Sequence, residues 1–201
     1  MFQLSIKPVF YLFVFTLVLS ACKKGDTGPA GPAGPQGPAN NANVVSGTFT
    51  LTNADYVNGY WAMSTGPGSS MGYGAKVATK NLPDLTAGIA GNGTVLVYLK
   101  VPDGVGGNVN LWTLLPFDIP NINVGYFIAI RNTVDVGKVK VYYLYMPTDK
   151  SVVVPNIFTA TLPDYTFRYV LIAGNANARQ AAPPVDYADY EAVKKYYRLK
   201  D

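Results

Sequence analysis

Lys138-Val139-Lys140-Val141-Tyr142-Tyr143-Leu144-Tyr145-Met146 is the stretch whose reading decides the fold. Val139, Val141, Tyr143 and Tyr145 fall on one side of an extended chain, and Lys138, Lys140 and Tyr142 on the other. A period of two marks a strand with one face on a core, because successive side chains of a strand point in opposite directions. Val95-Leu96-Val97-Tyr98-Leu99 is apolar at every position, which marks a strand covered on both sides.

Similar runs of β-branched and aromatic residues recur outward from these two. They are Val45–Thr52, Val57–Met63, Tyr73–Thr79, Val95–Val101, Val109–Leu115, Tyr126–Arg131, Lys138–Met146, Phe158–Leu162 and Thr166–Ala173. Asn58-Gly59 and Asn92-Gly93 are short-hairpin signals, because both residue types tolerate positive φ. Gly66-Pro67-Gly68 and Gly104-Val105-Gly106-Gly107 mark loops. About nine short strands between frequent turns predict an all-β fold, an antiparallel β-sandwich over 44–182. Leu82–Ala90 is a short helix or a loop, with Leu82, Leu85 and Ile89 on one face.

The C-terminal 183–201 differ in kind. Pro183-Pro184 break the chain, Asp186 can cap, and Tyr187, Tyr190, Val193 and Tyr197 recur at helical spacing. Asp186 and Asp189 precede Lys194, Lys195 and Arg198, the order that complements a helix dipole. An amphipathic helix of about 12 residues is expected, lying on the sandwich or on a neighbouring subunit.

At the other end, residues 1–21 form a secretory signal. Lys7 is its one cation, and about 12 apolar residues from Pro8 to Leu19 are too few to cross a membrane. Leu19-Ser20-Ala21-Cys22 closes it and resembles a bacterial lipobox, with Cys22 the only cysteine of the chain. Cleavage before an acylated Cys22 would leave the mature chain anchored in membrane lipid, stably so with two or more acyl chains. With one cysteine, no intramolecular disulfide and no cysteine metal cage can form.

Residues 22–43 then serve as a tether. Glycine recurs at 25, 28, 31, 34 and 37, with proline next in four of the five triplets. Only glycine fits the axis of three wound polyproline-II chains, so this spacing is collagen-like. A stiff single-chain spacer, reaching about 45 Å for 25–39, is the leading reading, and a homotrimeric triple helix the other.

Catalytic parts are scarce. There is no histidine, which removes the usual Ser-His-Asp, Cys-His and histidine-metal systems. Glu191 is the only glutamate and sits in the predicted tail helix. A two-carboxylate hydrolase would draw on Asp55, Asp84, Asp103, Asp118, Asp135, Asp149 and Asp164, most of them beside turn-forming residues. The expectation is a non-enzymatic protein with no catalytic residues, cofactor or metal. A net charge of +4 without a dense basic stripe also speaks against nucleic acid.

Fifteen tyrosines and two tryptophans are the remaining lead. Exposed aromatics on a sandwich can stack on sugar rings, and Tyr56, Tyr60, Trp61 and Tyr73 flank loops. They are the candidate ligand-stacking residues, although aromatics also favour strands and fill sandwich cores. A structural or adhesive role through an unidentified protein partner leads, and a carbohydrate-binding module for glycan capture is the alternative.

The order of parts also bears a resemblance. Lipobox, Lys23-Lys24-Gly25-Asp26-Thr27-Gly28-Pro29-Ala30, and an all-β domain resemble a group of Bacteroidota envelope lipoproteins with a short collagen-like segment. Further matching pieces are Leu85-Thr86 running into Asn92–Tyr98, Trp112 to Pro116, Phe167–Gly174 and Val185–Val193. The resemblance implies an envelope lipoprotein attached to the outer membrane, and implies no activity.

Overall fold

A computed structural model describes residues 44–101, 111–121, 125–149, 151–174 and 183–200. The signal segment, Cys22, the tether, Asp103 and the 104–107 loop lie outside the described residues, as do Val109 and Asn110 of one predicted strand. Among the described residues nine strands form: β1 (Val44–Leu51), β2 (Val57–Gly66), β3 (Ser69–Asn81), β4 (Thr94–Lys100), β5 (Trp112–Leu114), β6 (Phe117–Asn121), β7 (Tyr126–Asp135), β8 (Lys138–Pro147) and β9 (Tyr165–Ile172). Two short helices, α1 (Ala87–Asn92) and α2 (Tyr190–Tyr197), accompany them. The strands make a four-stranded sheet, β1-β9-β4-β5, and a five-stranded sheet, β2-β3-β8-β7-β6. Every strand pair is antiparallel. The architecture is the expected sandwich.

β8 occupies the middle of the five-stranded sheet, and its alternation does what its sequence dictates. Val139, Val141, Tyr143 and Tyr145 enter the inter-sheet core, where they join Phe49, Val97, Leu99, Phe167 and Leu171 of the opposite sheet. Phe49 and Phe167 face each other in register and stack, with ring centroids 5.4 Å apart. β4 is covered on both faces. Val97 and Leu99 point into this core, while Leu96 and Tyr98 point out into a second cluster formed with α2.

α2 is shorter than the tail's periodicity suggests. Asp186 accepts from the Ala188 N–H in a separate turn, Asp189 caps the helix by accepting from Ala192 N–H, and Arg198 ends it in the left-handed region. Tyr190 and Val193 lie against Leu96, Tyr98 and Val170, so the helix covers the outer face of its own four-stranded sheet. Among the described residues no helix is long and apolar enough to cross a membrane.

Several local expectations change. Phe158–Leu162 is not a strand: Ile157–Thr159 make a 3₁₀ turn, and the Asn156 side chain accepts from Phe158 N–H. Asn58-Gly59 lies inside β2, and the chain reverses instead at Pro67-Gly68, where Gly68 has φ +73°. Asn92-Gly93 ends α1 rather than turning a hairpin, with Gly93 N–H donating to the Ile89 carbonyl. β6 went unpredicted because it contains Asp118 and Pro120, residues a sheet tolerates at an edge.

Candidate functional site: the outer face of the five-stranded sheet

Register determines which side chains share this face. Trp61 of β2 stands opposite Tyr73 of β3, Val77 opposite Tyr142 of β8, and Phe127 of β7 opposite Met146. All of these alternate away from the inter-sheet core. Beneath them Ala75, Ala129 and Leu144 form a buried floor. The cluster draws on β2, β3, β7 and β8 alone; no described helix or loop belongs to it. On the four-stranded sheet, by contrast, α2 supplies Tyr190 and Val193 to the outer cluster.

The rings are held in fixed geometry. Trp61 meets Tyr142 with centroids 4.9 Å apart and planes inclined at 71°. The Tyr73 hydroxyl donates to Met71 Sδ at 2.9 Å, and Tyr142 shares a 3.2 Å hydroxyl contact with Thr133. One ion pair borders the apolar area: Arg131 Nη1 lies 2.6 Å from Asp118 Oδ1. The same nitrogen donates to the Phe117 and Ile130 carbonyls, and Nη2 approaches Met146 Sδ at 3.9 Å. These four contacts pin the guanidinium across the β6–β7 end of the face.

The four candidate stacking residues separate. Trp61 and Tyr73 come together here. Tyr60 points to the other side of β2, 70% exposed, and packs edge-on against Phe158 at 5.8 Å. Tyr56 is a correction: it is buried in the inter-sheet core, and that burial pushes its hydroxyl pKa well above the usual tyrosine range. Its position between the 3₁₀ turn Asn53–Asp55 and β2 carries it inward, where its ring fills the core instead of meeting a ligand. Tyr142, Phe127, Met146 and Arg131 belong to the face without having been singled out. For Tyr142 the signal was already present, since alternation in 138–146 placed it away from the core; the grouping itself required strand order.

The described aspartates are dispersed. Asp55 accepts from the Thr52 N–H and hydroxyl, Asp149 from the Ser151 hydroxyl and N–H, and Asp135 from Val136 N–H. These bonds hold all three carboxyls below the usual carboxylate range. Among the described residues no group of three His, Cys, Asp or Glu could hold a metal ion. Comparison with protein-family models, curated proteins and solved structures finds no match to this chain.

Proposed function

We propose that this chain is a lipid-anchored cell-envelope protein of the outer membrane, structural or adhesive in role. Acylated Cys22 anchors it, residues 23–43 act as spacer, and the sandwich docks a partner protein through the outer face of its five-stranded sheet. One observation carries the docking reading. Both sheets are apolar on both faces, yet only the outer face of the four-stranded sheet is covered by α2. The other presents Trp61, Tyr73, Phe127, Tyr142 and Met146, with Val57, Met63 and Met71 exposed beside them. An extended apolar patch rimmed by polar groups is the usual mark of an interaction surface.

Side-chain types favour protein over sugar. Methionines adapt to irregular apolar partners and recur at protein-docking surfaces. Rings inclined at 71° do not make the flat platform on which a sugar chain lies. The glycan reading keeps one supporting observation: Trp61 and Tyr73 pair directly across two strands, on the face bordered by the Arg131–Asp118 ion pair.

Photo-crosslinking in cells tests the docking reading. A photoreactive residue at Met71, on the proposed face, should form protein adducts that Trp61→Ala removes, while one at Thr50 on β1 should not. Trp61-dependent binding on a glycan array, with no adduct at Met71, would establish the alternative instead. For the anchor, Cys22→Ala should stay uncleaved and unlipidated. Recovery of a mature-sized, detergent-partitioning Cys22→Ala chain would end that part of the proposal.

A further inference from the structure

The two sheets have four edge strands, and only some are protected against pairing. β5 has three residues, and β6 carries Asp118 and Pro120, the usual ways of blunting an edge. β1 is uncharged, but Val45 is its only exposed large apolar residue. β2 is ten residues long, with no charge and no proline, and exposes Val57 (66%), Tyr60 (70%) and Met63 (46%). An edge strand that is long, neutral and apolar offers unpaired N–H and C=O groups to another strand.

We propose that β2 pairs antiparallel with β2 of a second copy of this chain, about a two-fold axis at Tyr60. The strand itself selects this register. Regular pairing with β3 runs from Val57 and is interrupted between Ser64 and Gly66, so Tyr60 lies at the middle of Val57–Met63. Centring there sets Tyr60 opposite its counterpart. On the outer face it sets Trp61 opposite Gly59 and Met63 opposite Val57. The largest side chain meets the position without one, and the two exposed aliphatic groups cover each other. Centring one residue later would oppose two tryptophans and run Val57 into the irregular region at Thr65. A two-fold contact of this kind is self-complementary and closed, as dimer symmetry requires. It joins the five-stranded sheets of two copies into one continuous sheet with the aromatic faces side by side. A dimer also selects the single-chain spacer for residues 23–43, because a triple helix needs three chains. The inference stands apart from the docking reading: pairing at Tyr60 neither requires nor forbids a partner on the outer face.

Cysteine crosslinking of the full chain in its own membrane tests both pairing and register, with the parent chain, carrying Cys22 alone, as control. On mild oxidation Tyr60→Cys should give a covalent dimer. Val57→Cys and Met63→Cys should each stay monomeric alone and crosslink when co-expressed, because disulfides form only across Cα separations of about 4.4–6.8 Å. Ala62→Lys, an exposed change, should weaken the dimer at least about tenfold without lowering the melting temperature measured at a concentration where both chains are monomeric. No dimer from folded Tyr60→Cys, a trimer in detergent, or an Ala62→Lys chain that dimerises as well as its parent would each overturn the proposal.

Discussion

Arg168 of β9 donates from Nη1 to the hydroxyl of Tyr190 in α2, linking the C-terminal helix to the four-stranded sheet. Arg168 is 8% exposed, its Nε donates to Thr48 Oγ1 at 3.1 Å, and its guanidinium carbon sits 4.9 Å from the Trp112 ring centroid. A buried cation is costly unless its donors are matched and its faces meet rings. The residues that make this site on β9 habitable come from β1, β5 and α2, so their loss should be felt by the whole covering of that sheet.

Tyr190→Phe keeps the ring contacts with Tyr98 and Trp112 and removes the acceptor. It should destabilise the fold by about 1.5–3 kcal/mol, the range for a hydrogen bond to a charged group. Denaturant unfolding measures it. A neutral outcome would mean that packing of Val193 and the rings alone holds the helix.

Phe167 is fully buried between the sheets and stacks on Phe49. Phe167→Ala should cost about 3–5 kcal/mol, whereas Val153→Ala, at a side chain 92% exposed, should change stability by no more than about 0.5 kcal/mol. The double variant Phe49→Ala/Phe167→Ala should show a coupling of about 0.5–1.5 kcal/mol from the ring pair.

Two nearby glycines should respond in opposite directions. A Cβ on Gly91 meets nothing, so Gly91→Ala near the end of α1 should stabilise by about 0.5–1 kcal/mol. A Cβ on Gly93 would lie 2.4 Å from the Ile172 carbonyl oxygen and 2.8 Å from that of Ile89. Both are backbone atoms, so Gly93→Ala must displace α1 from β9 and should lower the melting temperature. Thermal unfolding of the two variants side by side settles the contrast.

Alkaline pH should unfold the protein cooperatively. Burial raises the hydroxyl pKa of Tyr56, Tyr98, Tyr143, Tyr145 and Tyr165 in the folded state. Raised folded values mean that the native state holds more protons, so this contribution is complete below the unfolded value of about 10 and is lost as pH climbs through the folded values. Tyrosinate absorbance should therefore lag behind free tyrosine and then rise together with loss of structure. On the acid side, Asp55, Asp135 and Asp149 titrate below their ordinary value. Their stabilisation is present above about pH 4 and lost as pH falls through their lowered values. Parallel titration of free and folded tyrosine in one instrument would expose any failure of the first expectation.

Much of the fold was legible because strand burial leaves a period in the sequence. Lys138–Met146 and Val95–Leu99 announce which strands have one covered face and which have two, and the structure agrees at both. The tail's tyrosine spacing likewise announced a helix on an apolar surface, although the competing Asp186 and Asp189 turns shortened it. Phe158–Leu162 misled because its apolar residues fill the flank of the core from a 3₁₀ turn, and composition does not distinguish those two ways of being buried.

The sequence by itself determined the two-sheet class, the inner faces of its central strands and the amphipathic C-terminal helix, since each depends on contacts a few residues apart. Strand order was decided only by the tertiary structure. Trp61 and Tyr73 come from one pair of consecutive strands and Phe127 and Tyr142 from another far along the chain, and the two pairs share one face only because β3 and β8 pair between β2 and β7. That α2 covers the four-stranded sheet, and that β2 ends up as an unprotected edge, were settled at the same level. Both follow from which surfaces remain once the strands have found their partners, a long-range outcome that no local spacing encodes.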